Sequence, residues 1–159
     1  MESRMKSIIL AALFLSASAF ADNREIALID PGLMTLKFIK TVKLPKVANE
    51  EDMPVVKAGL PMVKGKTACV LVANAKVAKK TEIKAGTVLR VEGISVDMWA
   101  DTGMNIIKPK GWGLGLSCVS KFASIDAETG YPETSDPRDN ITVDELKAAM
   151  KGVIEVNVK

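Results

Sequence analysis

Two cysteines are the first residues in this sequence whose chemistry can be assigned. The chain of 159 residues contains Cys69 and Cys118 and no histidine. Without histidine there is no Ser-His or Cys-His nucleophile pair, no usual zinc site and no default general base at neutral pH. Three roles remain for the cysteines: a disulfide, a buried pair of free thiols, or a thiol nucleophile that lacks an activating histidine.

The pattern around the cysteines favours the disulfide. In segment 112–118, large apolar residues take every second position with small residues between them, so a strand would place Cys118 on its core face. Cys69 alternates with Leu71 and Ala73 in a segment that is apolar on both faces. Core-facing strand cysteines can meet across one sheet or between two sheets. An even cysteine count in an exported protein is typical of a disulfide, so we predict a bond between Cys69 and Cys118.

A second candidate group combines tryptophans with carboxylates. Asp97, Trp99 and Asp101 share one face of a predicted strand, and Trp112 begins another strand thirteen residues after Trp99. If the two strands pair, the four residues form an aromatic and acidic patch that can contact a ligand ring. The competing interpretation is that Trp99 ends its strand and folds into the core.

Other motifs for catalysis or cofactor binding are missing from the sequence. The acidic residues between positions 126 and 140 have the wrong spacing for an EF-hand, so we expect them to belong to a solvated loop. Gly113 and Gly115 are not followed by the helix start and lysine of a phosphate-binding loop. The sequence therefore predicts no catalytic residue, no cofactor and no metal site.

Positive charge is concentrated in one part of the chain. Residues 31–90 contain 12 Lys or Arg and 4 Asp or Glu, whereas residues 91–159 contain 7 and 11. Four lysines at every third position, Lys37, Lys40, Lys43 and Lys46, form a candidate basic contact face for an anionic envelope polymer. The alternative is an ordinary solvated surface. Aromatic residues are scarce in this segment, which argues against nucleic-acid binding.

The N-terminus has the order of a secretory signal. Arg4 and Lys6 precede the apolar run 8–15, and small residues follow up to Ala21. We predict cleavage before Asp22, which leaves residues 22–159 as a single domain in the periplasm or outside the cell. A retained N-terminal anchor or a buried core helix is the alternative. The apolar run is about half of a membrane span, and no cysteine lies near the cut, which argues against a lipoprotein.

Short strands account for most of the predicted elements. We expect strands at 26–29, 34–44, within 55–63, at 67–77, 87–98, 112–122 and 153–158, and a polar loop at 124–140. In the predicted strand 87–98, apolar residues change from odd to even positions at Gly93, which predicts a β-bulge.

One helix is predicted, at about 143–151. Thr142 and Glu145 have the spacing of a capping box at its start, and Gly152 stops it. A final strand follows it. The expected fold is thus a compact, mainly antiparallel β-barrel or β-sandwich with one short C-terminal helix.

These features favour a small exported β domain without enzymatic activity. We expect it to bind an envelope component or another protein, with the lysine face and the Trp99 region as competing contact faces. One alternative is an enzyme that acts on envelope polymers through carboxylates. The other is a structural subunit that adds strands edge to edge in an envelope assembly.

Overall fold

The structure is a computed structural model that describes residues 21–44, 55–56, 60–73, 82–97, 104–110, 113–136 and 140–159. The described residues are mainly β, as predicted, and they include the α-helix that the sequence predicts. The strands are β1 (Met34–Phe38), β2 (Val42–Lys43), β3 (Val55–Val56), β4 (Ala68–Ala73), β5 (Glu82–Ile83), β6 (Val88–Asp97), β7 (Met104–Pro109), β8 (Leu114–Val119), β9 (Phe122–Ile125), β10 (Pro132–Thr134) and β11 (Ile154–Val158). The helix is α1 (Val143–Met150).

Seven of these strands form one curled antiparallel sheet that resembles half of a barrel. The strand order is β11-β1-β6-β7-β8-β4-β3, so the C-terminal strand β11 lies at one edge beside β1. Two short ladders complete the fold: β2 pairs with β5, and β9 pairs with β10 as a hairpin. The expected barrel or sandwich is thus realised as an open, curled sheet.

The predicted bulge at Gly93 is confirmed. Val91 pairs with Pro109 and Gly93 pairs with Lys108, so Glu92 is the extra residue in β6. Because of this extra residue, Leu89 and Val91 before the bulge and Ile94 after it all pack into the same core. The bulge keeps one ten-residue strand apolar on its inner side while it bends.

The helix begins with the predicted capping box. The Thr142 hydroxyl accepts a hydrogen bond from the backbone N–H of Glu145, and the Glu145 carboxylate accepts one from the backbone N–H of Thr142. Gly152, with φ at +86°, lies just after the helix, where the left-handed conformation favours glycine. Val143, Leu146 and Met150 are fully buried, so α1 packs its apolar side into the same core as the strands.

Several predicted elements differ from the structure. Ile26–Leu28 forms a 3-10 turn and not a strand, and it leaves Leu28 82% exposed. The predicted strand 34–44 is divided into β1 and β2. The predicted strand 112–122 ends at Val119, because the chain turns at Ser120 and Lys121, where Lys121 has φ at +46°. The predicted polar loop 124–140 contains the end of β9 and all of β10.

Strand β4 is buried on both faces, as its composition predicts. Cys69 and Leu71 face the main core, while Val70 lies on the opposite face and is also fully buried. Strand β10 of the hairpin contacts both β4 and β8. Within the described ranges, no helix has the length and apolar character needed to cross a membrane.

Candidate functional site

The two cysteines form the predicted disulfide. Cys69 in β4 and Cys118 in β8 are register partners, and their Cα atoms lie 4.1 Å apart. Both residues are fully buried, so the bond lies in the core and crosses adjacent strands of one sheet. The described chain has no free cysteine, and the pair is thus bonded rather than free. Its position serves stability and leaves no thiol for catalysis.

A cleft lies between α1, the segment before β4 and the turn between β8 and β9. Its volume is about 580 Å³, within the range of about 300–1,000 Å³ that is usual for ligand pockets. Its lining is drawn from three stretches of chain: Pro61, Val63, Gly65, Lys66 and Thr67; Ser120 and Lys121; and Asn140, Asp144, Glu145, Ala148 and Ala149.

Two backbone hydrogen bonds join the segment before β4 to the residue that follows the turn at Ser120 and Lys121. The N–H of Gly65 donates to the carbonyl of Phe122 at 2.8 Å, and the N–H of Phe122 donates to the carbonyl of Lys66 at 2.8 Å. Gly65 has φ at +79°, a conformation that glycine adopts without strain. The segment before β4 is thereby fixed against the start of β9, and Lys66 is held at the rim.

The turn at Ser120 and Lys121 is fixed from the hairpin side. The Thr134 hydroxyl donates to the carbonyl of Ser120, and the backbone N–H of Ser135 donates to the carbonyl of Lys121 at 3.1 Å. The Lys121 ammonium lies 3.5 Å from the Asp136 carboxylate. These contacts give the cleft a rigid second wall that ends in a lysine.

The helix supplies the acidic wall, but its two carboxylates already have partners. Asp144 Oδ2 accepts a hydrogen bond from the backbone nitrogen of Asp22 at 2.7 Å. Glu145 Oε2 accepts one from the backbone nitrogen of Thr142 at 2.8 Å. Ala148 is exposed one turn further along the same helix. The cleft is therefore lined by lysines from the segment before β4 and the turn after β8, by carboxylates from α1, and by small apolar side chains from that segment and from the helix.

Residues 22–24 lie beside this acidic wall. The Arg24 side chain contacts the Asp22 carboxylate at 2.9 Å and 2.6 Å. This side-chain hydrogen bond is the main reason that the pKa of Asp22 falls to about 2. The backbone hydrogen bond from Arg24 and the positive charges of Arg24 and Lys147 also lower this pKa. The carboxylate of Asp22 thus remains charged over the physiological pH range.

The predicted lysine face is spread over different local structures. Lys37 lies on the exposed side of β1, between Glu155 of β11 and Val88 of β6 in the register. Lys40 is exposed in the bend after β1, and Lys43 is exposed in β2, opposite Glu82. Lys46 lies outside the described residues.

The predicted aromatic and acidic patch lies almost entirely outside the described part of the chain. Asp97 ends β6, but its side chain is not described, and Trp99, Asp101 and Trp112 lie outside the described residues.

The acidic stretch that follows β9 contains Asp126, whose carboxylate stabilises the local turn by accepting backbone hydrogen bonds from Thr129 and Glu128. These bonds lower the pKa of Asp126. Among the described residues, no three His, Cys, Asp or Glu side chains are grouped as a metal site would require.

Sequence reasoning did not identify the cleft. Its lining residues lie up to 88 positions apart, from Pro61 to Ala149, and belong to no shared motif. The one local signal was the capping box, which placed Glu145 at the start of a helix. Comparison of the chain with protein-family models, with curated proteins and with solved structures gives no match.

Proposed function

We propose that this chain is an exported binding domain without enzymatic activity, which receives a segment of a partner protein in the cleft beside α1. The cleft carries the proposal, because it is concave, of ligand-binding size and built on backbone held by hydrogen bonds. Export is supported by the signal-like residues 1–21 and by the buried disulfide, since disulfides form and persist in oxidising compartments.

A polypeptide is the occupant that the lining favours. Lys66 on one side and Glu145 on the other match a segment that carries both charges, whereas an anionic polymer would be repelled by the helix side. Val63 is 53% exposed and Ala148 is also exposed, so the space between the charged walls can accept small apolar side chains. This mixture of opposite charge and modest apolar area is typical of protein–protein contacts.

The carboxylate enzyme receives less support from the same cleft. A pair of catalytic carboxylates needs two groups that face a common substrate, with one free to exchange a proton. Asp144 and Glu145 are neighbours on one helix turn, and each accepts a backbone hydrogen bond that fixes the helix start. Both are thus engaged in holding the fold.

Edge-to-edge assembly also receives less support. β11 is one of the two edge strands of the main sheet, but it carries the exposed Glu155 and is followed by the exposed Lys159. Charged residues on an edge strand disfavour pairing with another strand. The backbone N–H of Lys159 is also used, since it donates to the carbonyl of Leu33 at 3.1 Å.

Site-specific photo-crosslinking tests the proposal. A photoreactive phenylalanine analogue replaces Ala148 in the cleft or, as the matched control, the exposed Glu155 of β11, which does not line the cleft, in cells that export the protein. We expect a protein adduct from position 148 that is missing from position 155. The partner identified by mass spectrometry is then purified, and its affinity is expected to fall at least about tenfold for Ala148→Trp and to stay unchanged for Glu155→Trp.

Two results would overturn the assignment. Equal adducts at both positions, or equal affinities of the two tryptophan variants, would remove the cleft as the binding surface. An adduct at position 148 that carries glycan or lipid in place of a polypeptide would overturn the proposed partner class and point to an envelope component.

A further inference from the structure

The backbone nitrogen of Asp22 makes a contact that ties the start of the domain to the start of the helix. It lies 2.7 Å from Oδ2 of Asp144, across 122 residues of sequence. The contact is reciprocal, because the N–H of Asp144 donates to the carbonyl of Asp22 at 3.1 Å. Further along, the N–H of Val143 donates to the carbonyl of Arg24, and the N–H of Ile26 donates to the carbonyl of Ile141. Hydrogen bonds thus join residues 22–26 to residues 141–144.

The same nitrogen belongs to the peptide bond at which the leader is predicted to be cut. We infer that cleavage between Ala21 and Asp22 creates an α-ammonium group that forms an ion pair with Asp144, so that removal of the leader strengthens the link between the start of the domain and the start of α1. The inference rests on the proposed export and deepens it. In the hydrolysis, water adds across the Ala21–Asp22 bond, Ala21 leaves as a carboxylate, and the released amine of Asp22 takes up a proton at neutral pH.

The charges around this nitrogen favour Asp144 as its partner. The carboxylate of Asp22 itself is held by the Arg24 guanidinium, through both Nε and a terminal nitrogen. Asp144 is half-buried in the first turn of α1, with its Oδ2 directed at the nitrogen. Glu145 is occupied by the capping box, and the charge of Lys147, further along α1, acts on the Asp22 carboxylate.

Cleavage is expected to strengthen this contact. In the uncleaved chain the nitrogen is an amide, and its bond to Asp144 has one charged partner. In the cleaved chain both partners are charged, and the hydrogen bond becomes a partly buried ion pair. The mature chain is therefore expected to be more stable than any form in which Asp22 keeps an acyl group on its nitrogen.

Four proteins test the ion pair: residues 22–159 with a free α-amine or an Nα-acetyl group, each with Asp144 or with Asp144→Asn. Acetylation keeps the N–H donor and removes the charge. With Asp144, we expect the acetylated chain to have an unfolding constant about two- to fivefold larger in urea denaturation at pH 7. With Asp144→Asn, the two chains should agree. An equal effect of acetylation in both backgrounds, or no effect with Asp144, would overturn the inference.

A titration of the unmutated mature chain provides a second test that does not depend on the folding of a variant. Asp144 should raise the pKa of the α-amine above the unfolded value of about 7.7–8.0. The charged groups around this amine are the carboxylates of Asp144 and Asp22, the Arg24 guanidinium bound to Asp22, and Lys147, whose charge acts on the Asp22 carboxylate. The added stability is therefore present below about pH 7.7 and is lost as pH rises through the folded pKa. An α-amine pKa at or below the unfolded value would contradict the ion pair.

N-terminal sequencing of the protein recovered from its producing cells separates this inference from the proposed export. A chain that starts elsewhere would refute cleavage at Asp22. The ion pair in the chain that starts at Asp22 would still be decided by the acetylation experiment.

Discussion

Cys69 and Cys118 lie directly opposite each other in neighbouring strands of one sheet, with their Cα atoms 4.1 Å apart. The bond joins two strands that come from parts of the chain 49 residues apart. It is buried in the same core that α1 covers, and the turn that follows Cys118 forms one wall of the cleft. Loss of the bond is therefore expected to affect both stability and the shape of the cleft.

Replacement of both cysteines by alanine should lower the free energy of unfolding by roughly 4 kcal/mol, because the closed loop of about 50 residues restricts the unfolded chain. Urea denaturation of Cys69→Ala/Cys118→Ala and of the oxidised parent measures this difference. The reduced parent is the matched control and should resemble the double variant. Equal stability of the oxidised and reduced forms would contradict the structural role of the bond.

Loss of the helix cap should destabilise the fold by a smaller amount. Thr142→Ala removes the hydroxyl that accepts from the Glu145 N–H, and we expect a cost of about 1 kcal/mol. Thr142→Ser retains the hydroxyl and should remain close to the parent. Chemical denaturation of the three proteins provides the comparison, and a serine variant as unstable as the alanine variant would show that the methyl group and not the cap is responsible.

The bulge in β6 can be tested by deletion. Removal of Glu92 leaves Leu89, Val91 and Ile94 in regular alternation, so the strand keeps its inner face and the cost should be roughly 1 kcal/mol. Removal of Ser95 instead would turn Val96 to the opposite face and should cost roughly 3 kcal/mol or prevent folding. Thermal unfolding of the two deletions ranks them. If the Glu92 deletion is the less stable of the two, the bend at the bulge contributes more to stability than the alternation of apolar residues.

Acid titration should reveal the contact between Asp22 and Arg24. The pKa of the Asp22 carboxyl is about 2, mainly because of the hydrogen bond from Arg24. Since the folded pKa is depressed, the stabilising effect is present above the ordinary value of 3.8 and is lost as pH falls towards 2. NMR titration of the carboxyl carbon should show this value in the parent and a value nearer 3.8 in Arg24→Ala. An unchanged pKa in Arg24→Ala would refute Arg24 as the cause.

Local patterns in the sequence were sufficient for the parts of the fold that depend on neighbouring residues. The change of hydrophobic phase at Gly93 predicted the bulge, since only an extra residue keeps Val91 and Ile94 on one face. Thr142 and Glu145 predicted the helix start, and the alternation around each cysteine predicted that both face the core. Each of these inferences uses side-chain periodicity or spacing within a few residues.

The predictions from sequence were wrong or incomplete where contacts between distant residues determine the local structure. The composition of Ile26–Leu28 is apolar enough for a strand. The N–H of Ile26 instead donates to the carbonyl of Ile141, and the chain then turns, so the segment forms a 3-10 turn. Strand β10 is short and polar, and it depends on pairing with β9. The cleft brings Lys66, Ser120 and Asp144 together through the order of strands in the sheet, for which the sequence contains no local signal.

The intact mass of the protein from its producing cells, with and without reductant and alkylation, is the most direct test of the claim that this is an exported, oxidised domain. We predict the mass of residues 22–159 less two hydrogens, with alkyl groups added only after reduction. A mass that retains residues 1–21, or thiols that are alkylated at once, would contradict it.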